Sequence, residues 1–256
     1  MTNVILCGCG GRMGHAVTEL INNSGDFRIV AGVDVNASSV APACKFPVYQ
    51  TIKDFPDRAD VIIDFSHHTA LADLLDYAKA SKTPIVVCTT GHTDEERAMM
   101  KDAASSIPVF FSRNMSIGIN LLVELCRRAS KTLGIGFDVE IIEKHHNQKL
   151  DAPSGTALML AEALAEERDE TEFVYDRHER MQKRAPSEIG IHAVRGGTIV
   201  GEHEVIFAGN NEVITLSHSA TSREIFANGA LRAAGFIVGK APAMYDMSDV
   251  IKEMQI

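Results

Sequence analysis

The stretch that leaves this chain least choice of fold is its start. Val4-Ile5-Leu6-Cys7 is a short, unbroken apolar run, followed by Gly8-Cys9-Gly10-Gly11-Arg12-Met13-Gly14 and then by Ala16, Val17, Leu20 and Ile21 at helical spacing. An apolar run without polar alternation suits a strand covered on both faces, so the passage reads as strand, glycine turn, helix. Glycines in such a turn let the backbone approach a pyrophosphate, whose charge then rests on the helix N-terminus. The strict G-x-G-x-x-G spacing wants a small residue at Met13, and here the glycines fall at 8, 11 and 14 instead.

A second strand over Phe27–Val33 ends in Asp34, twenty-six residues after Gly8. An acid at the end of the second strand is where a ribose 2′-hydroxyl would be held, with a turn-capping aspartate as the plain alternative. Together with the glycine turn, Asp34 favours dinucleotide binding. Its charge would repel a 2′-phosphate, and Val35, Asn36 and Ala37 supply no cation to offset it. NADH is therefore expected over NADPH.

Three more strand-helix units follow, with strands at 61–65, 84–88 and 108–111 and polar tips at 66–69, 89–91 and 112–115. Strand alternating with helix implies α/β architecture, a Rossmann-type doubly wound parallel sheet that binds ligands beyond the carboxyl ends of its strands. His67 and His68 lack an obvious chemical partner and read as loop residues. An amphipathic helix at 117–133 then leads into longer strands at 190–194, 200–207 and 213–219 with glycine turns and no helices between them. That change marks a second, α+β domain carrying an open mixed sheet. The expected division is 1–115 for dinucleotide binding and 116–225 for substrate binding and oligomerisation, with the segment 226–256, helical over 226–238, packing back on the first domain. The charged stretch 166–188 reads as an exposed connection.

Composition narrows the function classes. A 256-residue chain with 45% hydrophobic and 23% charged residues has enough apolar material for two cores, and no run is long enough to span a bilayer. The first ten residues lack the basic region and apolar core of a signal peptide, so a cytoplasmic protein is expected. A formal net charge of −9 argues against nucleic acid and anionic membranes as partners. Cys7, Cys9, Cys44, Cys88 and Cys126 are odd in number, sit mostly in apolar segments and form no CxxC, as expected of reduced, buried thiols. Cys88 has no evident base to make it a nucleophile.

The densest chemistry lies at 143–157, EKHHNQKLDAPSGTA. Pro153 biases Ala152 toward an extended backbone, and Ser154 is a good N-cap for the run Ala157, Leu158, Leu160, Ala161 and Leu164. The first turn, Gly155-Thr156-Ala157, holds no acid, so its N–H groups and the helix dipole suit a carboxylate or phosphate. A strand over 139–142 delivers His145, His146 and Lys149 to the same mouth. Solvated loop histidines and a surface lysine are the plainer reading of each residue alone. No third His or Cys at ligand spacing supports a metal, and none is expected.

The segments GCGGRMG at 8–14, CTTG at 88–91, EKHHNQKLDAPSGTA at 143–157, RGGTIVGEHEVIF at 195–207 and SREIFANGALRAA at 222–234 together resemble the 4-hydroxy-tetrahydrodipicolinate reductase (dihydrodipicolinate reductase) family of lysine biosynthesis. The resemblance runs in order through nearly the whole chain. It implies reduction of a cyclic dicarboxylate by NADH or NADPH, with His145 as proton donor or acceptor and Lys149 as proton donor. Substrate contacts would come from His146 and from the helix start at Ser154, Gly155 and Thr156, with Arg223 a further candidate beside a plain salt-bridge role.

Cofactor contacts implied by the same likeness are Gly8, Cys9, Gly10, Gly11, Arg12 and Met13 in the turn, with Asp34. Later loops would add Cys88, Thr89 and Thr90, then Ser112, Arg113, Asn114 and Met115. Many members carry Gly where this chain has Cys88, and the wording at 112–115 also departs from the commoner one. Homotetramers built through the second domain's sheet are typical of the family. A dehydrogenase of an amino-acid semialdehyde would share the glycine turn without a reason for HHxxKxDAPSGTA. A non-catalytic redox sensor would have no need of His145 and Lys149.

Overall fold

Val4, Ile5 and Leu6 are fully buried and Cys7 nearly so, which requires a strand with neighbours on both edges and layers on both faces. The computed structural model describes residues 1–178 and 180–254 and gives β1 (Thr2–Cys7) that central place. The chain continues through α1 (Arg12–Ser24), β2 (Phe27–Val33), the single turn α2 (Ala37–Val40), β3 (Val48–Tyr49), β4 (Val61–Asp64), α3 (Leu71–Ser81), β5 (Ile85–Val87), α4 (Asp94–Ala103) and β6 (Pro108–Phe111). Then come α5 (Ile117–Leu133), β7 (Asp138–His145), α6 (Gly155–Ala165), β8 (Glu172–Val174), β9 (Glu188–Arg195), β10 (Gly201–Gly209) and β11 (Glu212–Ala220). The last elements are α7 (Glu224–Ile237), β12 (Ala243–Tyr245) and α8 (Met247–Met254).

Two compact units result, one of residues 1–116 with 224–256 and one of residues 117–223. The first holds a seven-stranded sheet in the order β12-β6-β5-β4-β1-β2-β3, parallel throughout. Its order reverses beside β1, so the glycine turn after β1 opens at the sheet's switch point. Apolar side chains from β1, β4 and β5 pack with Leu71, Leu74, Leu75 and Ala78 of α3 and Met100 and Ala103 of α4 into one core. The return of the chain after α7 adds β12 beside β6 as an edge strand that short apolar runs gave no reason to expect.

The second unit carries a five-stranded mixed sheet, β11-β10-β7-β9-β8, with β7, β9 and β8 parallel and β10 antiparallel to both its neighbours. β7 alternates strictly between buried and half-buried positions, so Val139, Ile141, Glu143 and His145 share one face. That face packs with α5 and α6 around Leu122, Cys126, Leu160 and Leu164. The stretch 166–188 is not a mere exposed connection. It contributes β8, and Arg177 and Arg184 pair with Glu140, Glu188 and Asp138 on the sheet. Charge density hid a segment held by ion pairs as well as by Phe173, packed against the core, and buried Val174. No helix among the described residues is long and apolar enough to cross a membrane.

Candidate active site

In the first unit the glycine turn is shaped by what a side chain would strike. Gly8 has φ +73°, and a Cβ there would sit 2.5 Å from the Phe65 carbonyl oxygen, while a Cβ on Gly14 would run into the Gly8 and Cys9 carbonyls. The turn therefore tolerates only glycine at its two ends. Gly11 starts α1 with no side-chain cap, and no acid lies in the first turn, where Arg12 and Met13 follow. That end favours negative charge. Asp34, at the end of β2, accepts the Gly10 N–H at 3.0 Å and the Asn36 N–H at 2.9 Å. It thus ties the turn to the second strand.

A cleft of about 490 Å³ lies against these residues, lined among others by Gly8, Gly11, Asp34, Val35, Ser66 and His67. The tight turn that Gly8 and Gly14 permit and the uncapped N-terminus of α1 make this a fitting cradle for a dinucleotide phosphate. Of the other expected positions, buried Cys9 lies beneath the turn and Thr89 donates to the buried Asp64 at 3.1 Å. Thr89 also meets His92 Nε2 at 2.9 Å, and Ser66 donates to Asp64 through both its N–H and its hydroxyl. Thr90 is exposed beside it. Burial and the nearby Asp64 push the Cys88 thiol well up, which disfavours the thiolate a nucleophile needs. Ser112 donates to the Asn114 carbonyl at 3.0 Å, the Asn114 side chain accepts the Ser116 N–H at 2.8 Å, Arg113 is exposed and Met115 is buried. His68 is not a bare loop residue, because its Nδ1 lies 2.8 Å from Glu96.

The second unit assembles its site from side chains. His145 closes β7, mostly buried, with Nδ1 2.6 Å from Glu143 Oε2. Glu143 is fully buried and is gripped by Arg195 of β9 through two bonds, 2.8 Å to Oε2 and 2.7 Å to Oε1. Its Oε1 also accepts the Ser154 N–H at 2.9 Å. Burial pushes this carboxyl up, but the hydrogen bonds from His145, Arg195 and Ser154 outweigh it and bring it down to about 2. Glu143 is accordingly an anion at any ordinary pH.

Ser154 caps α6 by accepting the Ala157 N–H at 3.2 Å, and its hydroxyl meets His203 Nε2 at the same distance. Burial and the neighbouring His145 lower His203 to about 4, so that ring is neutral. The first turn of α6 holds no acid, Gly155 is exposed and Thr156 half-buried. Lys149 Nζ lies 2.9 Å from Asp151, and the half-buried His146 accepts the Lys149 N–H through its carbonyl at 3.2 Å. The structure thus brings His145 and Ser154 onto one carboxylate. Arg223, the exposed last residue of this unit, is not among the donors to that network.

Glu143, Arg195 and His203 had no role in the reading of the sequence. Strand register brings them together: Glu143 pairs with His203 on β10, and His145 with Arg195 on β9. The only signal for Glu143 was its place two residues before His145, on the same face of a strand.

Comparison with known proteins agrees along the whole chain. Residues 2–115 match the family described as dihydrodipicolinate reductase, N-terminus, and residues 118–251 match dihydrodipicolinate reductase, C-terminus. The 4-hydroxy-tetrahydrodipicolinate reductase of Caldanaerobacter subterraneus subsp. tengcongensis is 52% identical over 254 residues, covering 99% of both chains. That of Clostridium novyi is 47% identical over 98% of this chain and 99% of its own. A dipicolinate-bound dihydrodipicolinate reductase from Paenisporosarcina sp. TG-14 shares the fold, with a TM-score of 0.79 at 24% identity over 96% of this chain and 97% of that one. With each half matched to its own part of the family and full-length relatives at about half identity, the chain belongs to the dihydrodipicolinate reductase family.

Proposed function

We propose that this chain reduces 4-hydroxy-tetrahydrodipicolinate to tetrahydrodipicolinate with a nicotinamide dinucleotide, in the diaminopimelate route to lysine, and that the residues of the second unit handle the protons and the carboxylates. The observation that carries the assignment of residues is the single carboxylate of Glu143, which holds His145 with one oxygen and the start of α6 with the other.

The nicotinamide ring supplies a hydride when the cofactor is bound. The chain supplies the rest. Residues 8–13, with Asp34, would seat the phosphates and ribose, and Cys88, Thr89, Thr90 and residues 112–115 would line the cofactor's reactive end. A substrate carboxylate would rest on the N–H groups of Gly155 and Thr156, where no acid competes for the helix end, with His146, Ser154 and Arg223 around it. The 4-hydroxyl leaves as water with a ring hydrogen, and the hydride adds to the unsaturated carbon so formed. Lys149, exchanging Asp151 for the substrate, and His145 deliver the proton, so that no unstable negative charge stays on the ring. NADH is the better cofactor, because the charge of Asp34 would oppose a 2′-phosphate and no basic residue follows it at 35–37. The first unit is the dinucleotide-binding domain, and the second serves substrate binding and assembly into a homotetramer. A cytoplasmic enzyme is the setting.

The test follows nicotinamide absorbance while substrate is generated freshly from pyruvate and aspartate semialdehyde by the preceding synthase. Substrate-dependent oxidation is expected with both cofactors and faster with NADH. Lys149→Ala and His145→Ala should lower turnover at least about tenfold while leaving NADH affinity within about twofold, since general acid-base groups contribute about 10²- to 10⁴-fold. Unchanged turnover in either variant removes that residue from its role.

A further inference from the structure

We propose that Glu143, held by Arg195, is the positioning residue of the site, fixing one tautomer of His145 and registering that ring against the anion-receiving end of α6. The proposal rests on the proton-transfer role given to His145.

The geometry carries the assignment. An ionised carboxylate offers about four lone-pair positions and no proton. Glu143 fills all four, with His145 Nδ1 and an Arg195 nitrogen on Oε2 and with the other Arg195 nitrogen and the Ser154 N–H on Oε1. Each of these partners must be a donor. His145 therefore carries hydrogen on Nδ1, and Nε2 is the nitrogen left to exchange a proton. The chain keeps that nitrogen clear, because a Cβ on Gly201 would stand 3.1 Å from Nε2.

Arg195 makes the arrangement rigid. Its planar fork meets both oxygens of Glu143, and the same guanidinium donates to the Asp151 carbonyl at 2.7 Å, in the loop that leads to Ser154. Further along, the backbone joins the loops again: Gly196 N–H donates to the His145 carbonyl at 2.9 Å, and Asn147 N–H to the Gly197 carbonyl at 3.2 Å. Proton donor and carboxylate-binding helix start are thus spaced by one buried anion. A carboxylate behind an imidazole is a recurrent way to fix tautomer and orientation.

The test uses the full chain as Glu143→Gln, with Glu143→Gln/Arg195→Gln as a second variant in which no buried charge is left alone. A Gln amide cannot satisfy all four donors, and its NH₂ facing His145 would demand an acceptor at Nδ1. Turnover is expected to fall about 10- to 100-fold, the usual scale for removing a group that orients a functional histidine, with NADH affinity within twofold. Ring-nitrogen NMR of ¹⁵N-histidine protein, with the His145 signals identified by their loss in His145→Asn, should show Nδ1–H in the neutral wild-type ring and Nε2–H in the Gln variant.

Turnover within twofold of wild type in a folded Gln variant, or an Nε2–H ring in the wild type, overturns the proposal. If His145→Asn loses turnover while Glu143→Gln keeps it, positioning by Glu143 fails and the proton-transfer reading stands. If His145→Asn also keeps turnover, the proton-transfer reading itself has failed. Should neither Gln variant fold, the wild-type tautomer alone decides.

Discussion

Asp64 at the end of β4 and Glu143 near the end of β7 are both fully buried carboxylates, one in each unit, and their surroundings drive them in opposite directions. Asp64 receives the Ser66 N–H, the Ser66 hydroxyl and the Thr89 hydroxyl, yet burial still raises its pKa. Glu143 receives one backbone N–H as well, but adds the Arg195 fork and the His145 ring, and falls to about 2. At Asp64 the hydrogen bonds only soften desolvation; at Glu143 the His145 and Arg195 donors, joined by the Ser154 N–H, reverse it. The difference suits what each site must hold. If the cofactor binds as proposed, a carboxyl that gives up its charge more readily would be the better neighbour for its phosphates. A permanent anion in the second can hold a histidine and a helix start in place.

The largest effect should follow from removing one partner of the charged pair. Glu143→Ala leaves the Arg195 guanidinium facing an empty space and should destabilise the second unit by about 3–5 kcal/mol, the usual cost of breaking a buried ion pair. Asp64→Asn, by contrast, keeps an acceptor toward Ser66 and turns an amide toward a Thr89 hydroxyl that can accept, so a change within about 1 kcal/mol is expected. Hydrogen exchange at pH 7 resolves the two, because the first variant should speed exchange across β7 and β9 while leaving β1 and β4 protected. Equal losses in both variants would erase the contrast.

Acid sharpens the comparison with a smaller effect. His203 is held at about 4 in the fold against about 6.5 in an unfolded chain, so its contribution is fully present above 6.5 and lost as pH falls from 6.5 to 4. The loss is on the order of 3 kcal/mol for a shift of this size. Glu143, also depressed, holds its contribution above about 4.3 and loses it only as pH falls from there toward 2. Asp64 is raised, so its effect has the other sign: the fold gains as the group takes up a proton and loses as pH rises through the folded pKa. The second unit should therefore open first on acidification. His203→Asn should flatten the urea midpoint between pH 6.5 and 4 relative to wild type, and an unchanged slope would mean that another group sets it.

The two sites were unequally legible in the sequence for the same physical reason that they behave differently. Gly8 and Gly14 announce a turn because backbone conformation and close approach are local demands, met by neighbours a few residues away. Strand, turn and helix could be read there from periodicity alone, and the parallel sheet followed. Ser154 was legible as a cap, again a local matter. The partners of His145 were not, since Arg195 and His203 arrive fifty and more residues later through the register of β9 and β10. Periodicity tells which face a residue takes, but not which residue will stand beside it. The stretch 166–188 escaped for a related reason, because Arg177 and Arg184 are anchored by Glu140 and Asp138 and carry no apolar pattern of their own.

Asp34 offers the smallest and most discriminating effect, because it has two separable jobs in the first unit. As the acceptor of the Gly10 N–H it steadies the glycine turn, and as an anion at the end of β2 it would oppose a 2′-phosphate. Asp34→Asn removes the charge and replaces one accepting oxygen with a donor. Unlike charge removal at Glu143, no cation is stranded, so stability should hardly change. Two unit charges about 4 Å apart in water interact by about 1 kcal/mol, and a phosphomonoester carries up to about two. Relief of that repulsion should raise the NADPH-to-NADH ratio of kcat/KM about five- to thirtyfold. If instead both cofactors lose affinity by the same factor, Asp34 acts through Gly10 and selects nothing. The first unit would then resemble the second, with a carboxylate whose work is to hold the residues that do the binding.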